Sequence, residues 1–199
     1  MMGKETGWFC YPTKRFKTIT MQAVWVNELT RGERALGAVL PQVLRRGTTT
    51  WENGLAIDRR LEEMYGASFR VDVGKIADKQ LITFHLEVID GQYLPGHPDT
   101  LGWALDFLGD VMQKPRRDSQ GHFIAEWVNQ EKELVRRRIE ALINDKAQYA
   151  AQRLLEEVAA GRRFGLRKWG DGEELAAIDA ARLTDYFHAV LTDRPLLFV

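Results

Sequence analysis

The sequence predicts an α+β fold, a mostly antiparallel sheet with helices packed on one face. Three observations carry this. Residues 15–29, RFKTITMQAVWVNEL, are rich in β-branched and aromatic residues and roughly alternate, as strands do. Residues 67–74 (ASFRVDVG) and 79–90 (KQLITFHLEVID) repeat that pattern around a GKIADK turn, which reads as an antiparallel hairpin. Nearly everything after residue 100 places apolar residues at helical steps, so the order strand, helix, helix, hairpin, helices, strand argues for helices packed on one face of a sheet.

In order, the first strand leads through Thr30 and Arg31 into the stretch ALGAVLPQVLRRGT, residues 35–48. Ala35, Leu36, Val39, Leu40, Val43 and Leu44 share one side of a helix that ends near Gly47, with Arg45 and Arg46 in its last turn. Leu55, Ile57, Leu61, Met64 and Tyr65 make a second, short amphipathic helix closed by Gly66. After the hairpin, GQYLPGHPDT is a loop by its Gly and Pro content, and Pro115 stops a third helix begun near Thr100. Residues 121–160 read as two helices broken near INDK, where Asn144 and Asp145 are good caps. A turn-rich segment, GRRFGLRKWGDGEE, precedes a last helix capped by Asp179 and a final strand in RPLLFV. A chain seldom stops on such a strand, so the sequence reads as the first portion of a longer protein.

Composition excludes several classes. The 28 basic side chains equal the 28 acidic ones, so no net field draws nucleic acid or an anionic membrane. Cys10 is the single cysteine, which rules out an intramolecular disulfide and suits a reducing, cytoplasmic setting. The opening residues carry no apolar signal core, and no apolar run approaches the ~20 residues that span a bilayer. Nucleophile motifs are missing too: there is no G-x-S-x-G elbow, and Cys10 has no nearby histidine. The run RRRIE at 136–140 reads as a solvated helix face. His122 and Glu126, four apart, could share a helix face as a zinc pair, although an ordinary ion pair has the same spacing.

Glu131 is different. It falls among Trp127, Leu134, Val135, Ile139, Leu142 and Ile143, on the stripe expected to face the core. A carboxylate there needs a partner, because burying it alone is costly, unless it lies at the stripe's edge and reaches solvent. Phase predicts that it faces the side of the first helix carrying Ala38 and Gln42, satisfied by Gln42, by an arginine such as Arg34 or Arg45, or by water.

Taken in order, LRRGT, LEEMYGASF, LGWALDFLGDVMQKP, FIAEWVNQEKELV and RRFGLRKWGDGEELAAIDAARLTDYF resemble the N-terminal domain of the pitrilysin/insulinase-type zinc metallopeptidases. The likeness covers nearly all of residues 14–199, with residues 1–13 as an extension, and implies the fold of one pitrilysin or mitochondrial-processing-peptidase domain, cut from a two-domain chain. Active members carry H-x-x-E-H on the helix before the GT, with a further glutamate ligand downstream. The resemblance puts the two histidine positions on Ala38 and Gln42, the general-base position on Pro41, and the leftover ligand position on Glu131. Alanine has no donor atom, the glutamine amide is a poor zinc ligand and proline cannot accept a proton, so it implies an inactive member with no cofactor. It most resembles the bacterial inactive type whose name links it to elongation factor P modification.

What the resemblance implies is a non-catalytic cytoplasmic subunit that helps an active homologous zinc peptidase, or a second copy, enclose a peptide. The peptide would add as a strand along Ser68, Phe69, Arg70, Val71, Asp72 and Val73. Two rivals stand beside it: a metalloenzyme with unconventional ligands from His122, Glu126 and Glu131, and a plain scaffold without peptide contact.

Overall fold

The computed structural model describes residues 6–199. Five strands form one sheet in the order β1 (Thr6–Trp8), β5 (Leu196–Phe198), β2 (Thr18–Glu28), β4 (Lys79–Ile89), β3 (Ser68–Ile76). β1 and β5 pair in parallel, and every other pairing is antiparallel. The helices are α1 (Arg34–Leu44), α2 (Gly54–Glu63), α3 (Thr100–Gln113), α4 (Ala125–Ala141), α5 (Lys146–Val158), α6 (Gly172–Ala176) and α7 (Ala180–Asp193).

Alternation decides which face of the sheet is covered. Met21, Ala23, Trp25 and Asn27 of β2 are buried, as are Gln80, Ile82, Phe84, Leu86 and Val88 of β4, while the residues between them are partly or fully exposed. The buried side receives α1 and α3. There the Trp25 and Phe84 rings meet edge to face at 5.2 Å, and Phe107 of α3 meets Phe69 of β3 at 5.0 Å. Such pairs are worth about 0.5–1.5 kcal/mol beyond the area they bury.

Local signals set the helix ends. Asn53, Asp99, Asp145, Asp171 and Asp179 each accept a backbone N–H from the first turn of the following helix, at 2.8–3.0 Å. Asp145 makes the expected break between α4 and α5, and Asp179 caps α7 as read from the sequence. The hairpin turn is tighter than GKIADK suggested, because β3 runs on to Ile76 and β4 starts at Lys79. Within the 1–13 stretch expected as an extension, Thr6–Trp8 form an edge strand of the sheet. The turn-rich segment also leads into the five-residue α6.

One close approach explains a glycine. A Cβ on Gly37 of α1 would lie 2.0 Å from Gln80 Oε1 and 3.0 Å from the Tyr186 hydroxyl. Its absence lets buried Gln80 reach under α1, where Nε2 donates to the carbonyls of Arg34 at 2.8 Å and Lys168 at 2.5 Å. Burial pushes the Tyr186 phenol up, so it stays a neutral hydroxyl.

Candidate functional site

α1 is buried almost all round. Ala38 and Pro41 are as enclosed as the apolar stripe on the other side, Gln42 is half-buried, and Arg45 alone faces water. The polar-looking face is therefore an interface, because α4 packs against α1 there. Pro41 sits inside the helix and brings no N–H, so the Gly37 carbonyl has no i+4 donor at this point.

On α4 the fully buried positions are Val128, Glu131 and Val135. Glu131 thus faces inward, 7 % exposed. Its partner is not Gln42, Arg34 or Arg45 but Arg46, just past the end of α1. The Arg46 guanidinium places Nε and Nη2 each 2.6 Å from Glu131 Oε1, and Nη1 donates to Gln130 Oε1 at 2.6 Å. Gln42 makes no side-chain hydrogen bond among the described residues. Arg34 instead holds Asp171 at 2.9 Å and Glu174 at 2.8 Å, clamping the start of α1 to α6. Leu134 and Ile143, expected inside, are 51 % and 59 % exposed. The buried stripe on α4 is narrower than its apolar composition suggested.

Two further carboxylates show how strongly arginine governs this side of the molecule. Hydrogen bonds from Arg136 and then Arg137 hold the Glu133 carboxyl down at about 2. Arg167, hydrogen-bonded to Glu156 of α5, likewise holds that carboxyl below the usual range.

The donor set can be tested against zinc on its own chemistry. A structural or catalytic zinc needs at least three protein ligands with free lone pairs. Ala38 and Pro41 supply none, Gln42 supplies a neutral amide, and the one carboxylate is occupied by Arg46. These residues do not fit the ion. Nor, among the described residues, do three His, Cys, Asp or Glu side chains stand together so as to hold a metal, and Glu126 instead accepts from Gln130 at 3.0 Å.

The peptide-edge residues lie at an edge. Among the described residues β3 pairs with β4 alone, so one row of its backbone groups is open there. The Val73 N–H donates to Asp72 Oδ1 at 2.8 Å rather than to β4, which marks it as outward-facing. The β3–β4 register is unbroken, so the N–H groups of Phe69 and Val71 point out with it.

This arrangement recurs in solved structures. A conserved protein from Enterococcus faecalis V583 superposes with a TM-score of 0.88 at 24 % identity, over 98 % of this chain and 46 % of that one. A peptidase M16 inactive domain from Pseudomonas fluorescens gives 0.70 at 17 % identity, over 99 % of this chain and 44 % of the other. Fold and sequence similarity together define an inactive homologue of the pitrilysin-type (M16) metallopeptidases. In sequence, the chain is 30 % identical over 188 residues, 94 % of its length, to the probable inactive metalloprotease YmfF of Bacillus subtilis (strain 168). It spans 44 % of that relative's length. No family-level sequence model matches it.

Proposed function

We propose that this chain is the non-catalytic, peptide-holding part of a peptidase-like assembly. In it, Ala38, Gln42 and Pro41 occupy the two ligand positions and the base position of active homologues, and Glu131 the remaining ligand position. The assembly pairs this chain with an active homologous subunit or a second copy, in the cytoplasm. The observation that carries the reading is the open edge of β3. Residues 68–73 offer outward backbone groups beside a helix pair with no catalytic group left, so an extended peptide can be bound there but not cut.

The test uses the edge geometry. Val71→Pro removes an outward N–H without removing a β3–β4 bond, and proline is tolerated on such an edge. Calorimetric titration with an unstructured peptide should show binding to the parent protein and at least tenfold weaker binding to Val71→Pro, with unchanged circular dichroism. Equal affinity for both proteins would remove strand addition from the account. Elution of the chain as a monomer, with no association with an H-x-x-E-H homologue, would remove the paired assembly.

A further inference from the structure

A cavity of about 470 Å³ opens at the far end of β3, between the hairpin turn, α5 and the segment leading to α6. Its volume is in the range of small-ligand sites. Its lining is lopsided in charge. Lys75, Arg167 and Lys168 contribute three cations, and no acidic side chain lines it among the described residues, although the whole chain is electrically balanced. The floor is apolar, with Leu155, Phe164 and Trp169.

The hydrogen-bonding capacity here is only partly used. The Lys75 ammonium donates to the carbonyls of Phe164 and Leu166, which leaves one of its three protons free. Arg167 spends Nε and Nη2 on Glu156, and its Nη1 has no partner among the described residues. Among the described residues, Lys168 has no carboxylate partner and the buried Trp169 Nε1–H donates to nothing, while the Lys168 ammonium lies 4.8 Å over the Trp169 ring. An apolar floor beneath unspent donors, with Arg167 paired to Glu156 and Lys168 paired to no described carboxylate, is complementary to an apolar group that carries a carboxylate.

Position says how such a group arrives. Side chains alternate along a strand, and Lys75 shares the helix-facing side of β3 with buried Phe69 and Val73. A peptide added outside β3 sends alternate side chains to that same side, and the one opposite Lys75 meets the cavity. We propose that this cavity is a recognition pocket for the C-terminal residue of an extended peptide, taking an aromatic or branched side chain on its floor and the free carboxylate at Arg167 and Lys168. The peptide then runs parallel to β3, with its C-terminus at the Ile76 end. The proposal rests on the peptide-holding reading above and adds the end of the peptide that is read.

Three probes separate the two ideas: an octapeptide ending in phenylalanine with a free carboxylate, the same peptide amidated, and N-acetyl-L-phenylalanine alone. Titrated against the full chain, the free acid should bind at least tenfold more tightly than the amide. Lys168→Gln should weaken the free acid at least threefold and leave the amide unchanged. Val71→Pro should weaken both peptides and preserve their ratio. Equal affinity for acid and amide, with both still sensitive to Val71→Pro, would overturn the pocket and leave the edge intact. Binding of N-acetyl-L-phenylalanine that responds to Lys168→Gln, with neither peptide bound better, would support the pocket and remove strand addition. Binding of none of the three would overturn both. Leu155→Arg, which places a charge on the floor from a helix with no fully buried residue, should abolish the preference for an aromatic C-terminal residue without unfolding the chain.

Discussion

Truncating Arg46 to alanine should lower the stability of the folded chain by about 2–4 kcal/mol, somewhat less than the roughly 3–5 kcal/mol for breaking a fully buried ion pair. The discount reflects exposure, since the Arg46 side chain is 29 % exposed while Glu131 is 9 % exposed. The loss comes from what is left behind: a carboxylate between α1 and α4 with no cation facing it. Adding Glu131→Gln to the Arg46→Ala variant should therefore recover at least half of the loss, because a neutral amide needs no counter-charge. Urea unfolding midpoints of the parent, both single variants and the double variant measure this, provided the slopes agree. If the double variant is less stable than Arg46→Ala alone, the pair does not carry the energy assigned to it.

The same ion pair determines what happens when ligands are put back. Ala38→His, Pro41→Glu and Gln42→His together supply the motif that the proposed positions lack. The triple variant should still take up no stoichiometric zinc, and it should lose about 3–5 kcal/mol, because Ala38 is 1 % exposed and an imidazole overfills its site. Freeing the fourth group should change that. With Arg46→Ala added, Glu131 becomes available, and ~100 μM zinc should raise the melting temperature by several degrees, a shift absent from the parent. Elemental analysis and thermal scans decide it. About one tightly held zinc in the parent would contradict the inactive reading. Zinc uptake by the triple variant with Arg46 still present would contradict the role given to that guanidinium. Peptide cleavage is not expected from any of these variants, because the relatives matched are more than twice as long as this chain.

Much of this was legible in the residues. Strand alternation gave the hairpin and the inward set of β2, and the helical phase of α4 put Glu131 inside. Its partner was not legible. Arg46 reads as an ordinary basic residue at a helix C-terminus, and only the docking of α1 on α4 brings it to a residue 85 positions away. The width of the α4 stripe was overread for a related reason. Apolar spacing marks which face can be buried, but not how far along the helix the core extends, and after Val135 no residue of α4 is fully buried. α6 was missed because five residues are too short for a helical period to emerge, and β1 because Thr6–Trp8 carries only one apolar side chain. The cavity at the end of β3 had no linear signature at all, since Lys75 and Lys168 converge from separate segments.

The place of β5 in the sheet bears on the order in which the chain can fold. The last strand does not add to a rim but fills a gap between β1 and β2. Until residues 196–198 are available, β1 lacks its one partner among the described residues, and β2 is open on that side along Ala23–Trp25. The pairing closes a loop from residue 6 to residue 196, the slow kind of contact to form, so a polypeptide emerging from the ribosome carries a half-finished sheet until those residues are made. The hairpin of β3 and β4 needs no such wait. Pulsed hydrogen exchange during refolding should accordingly protect β4 early and the amides of Gln22 and Val26, which donate to Val199 and Pro195, last. Protection of those two amides in step with β4 would show that the gap closes early. Late closure makes the unfilled side of β2 the surface through which newly made chains are most exposed to mispairing with one another.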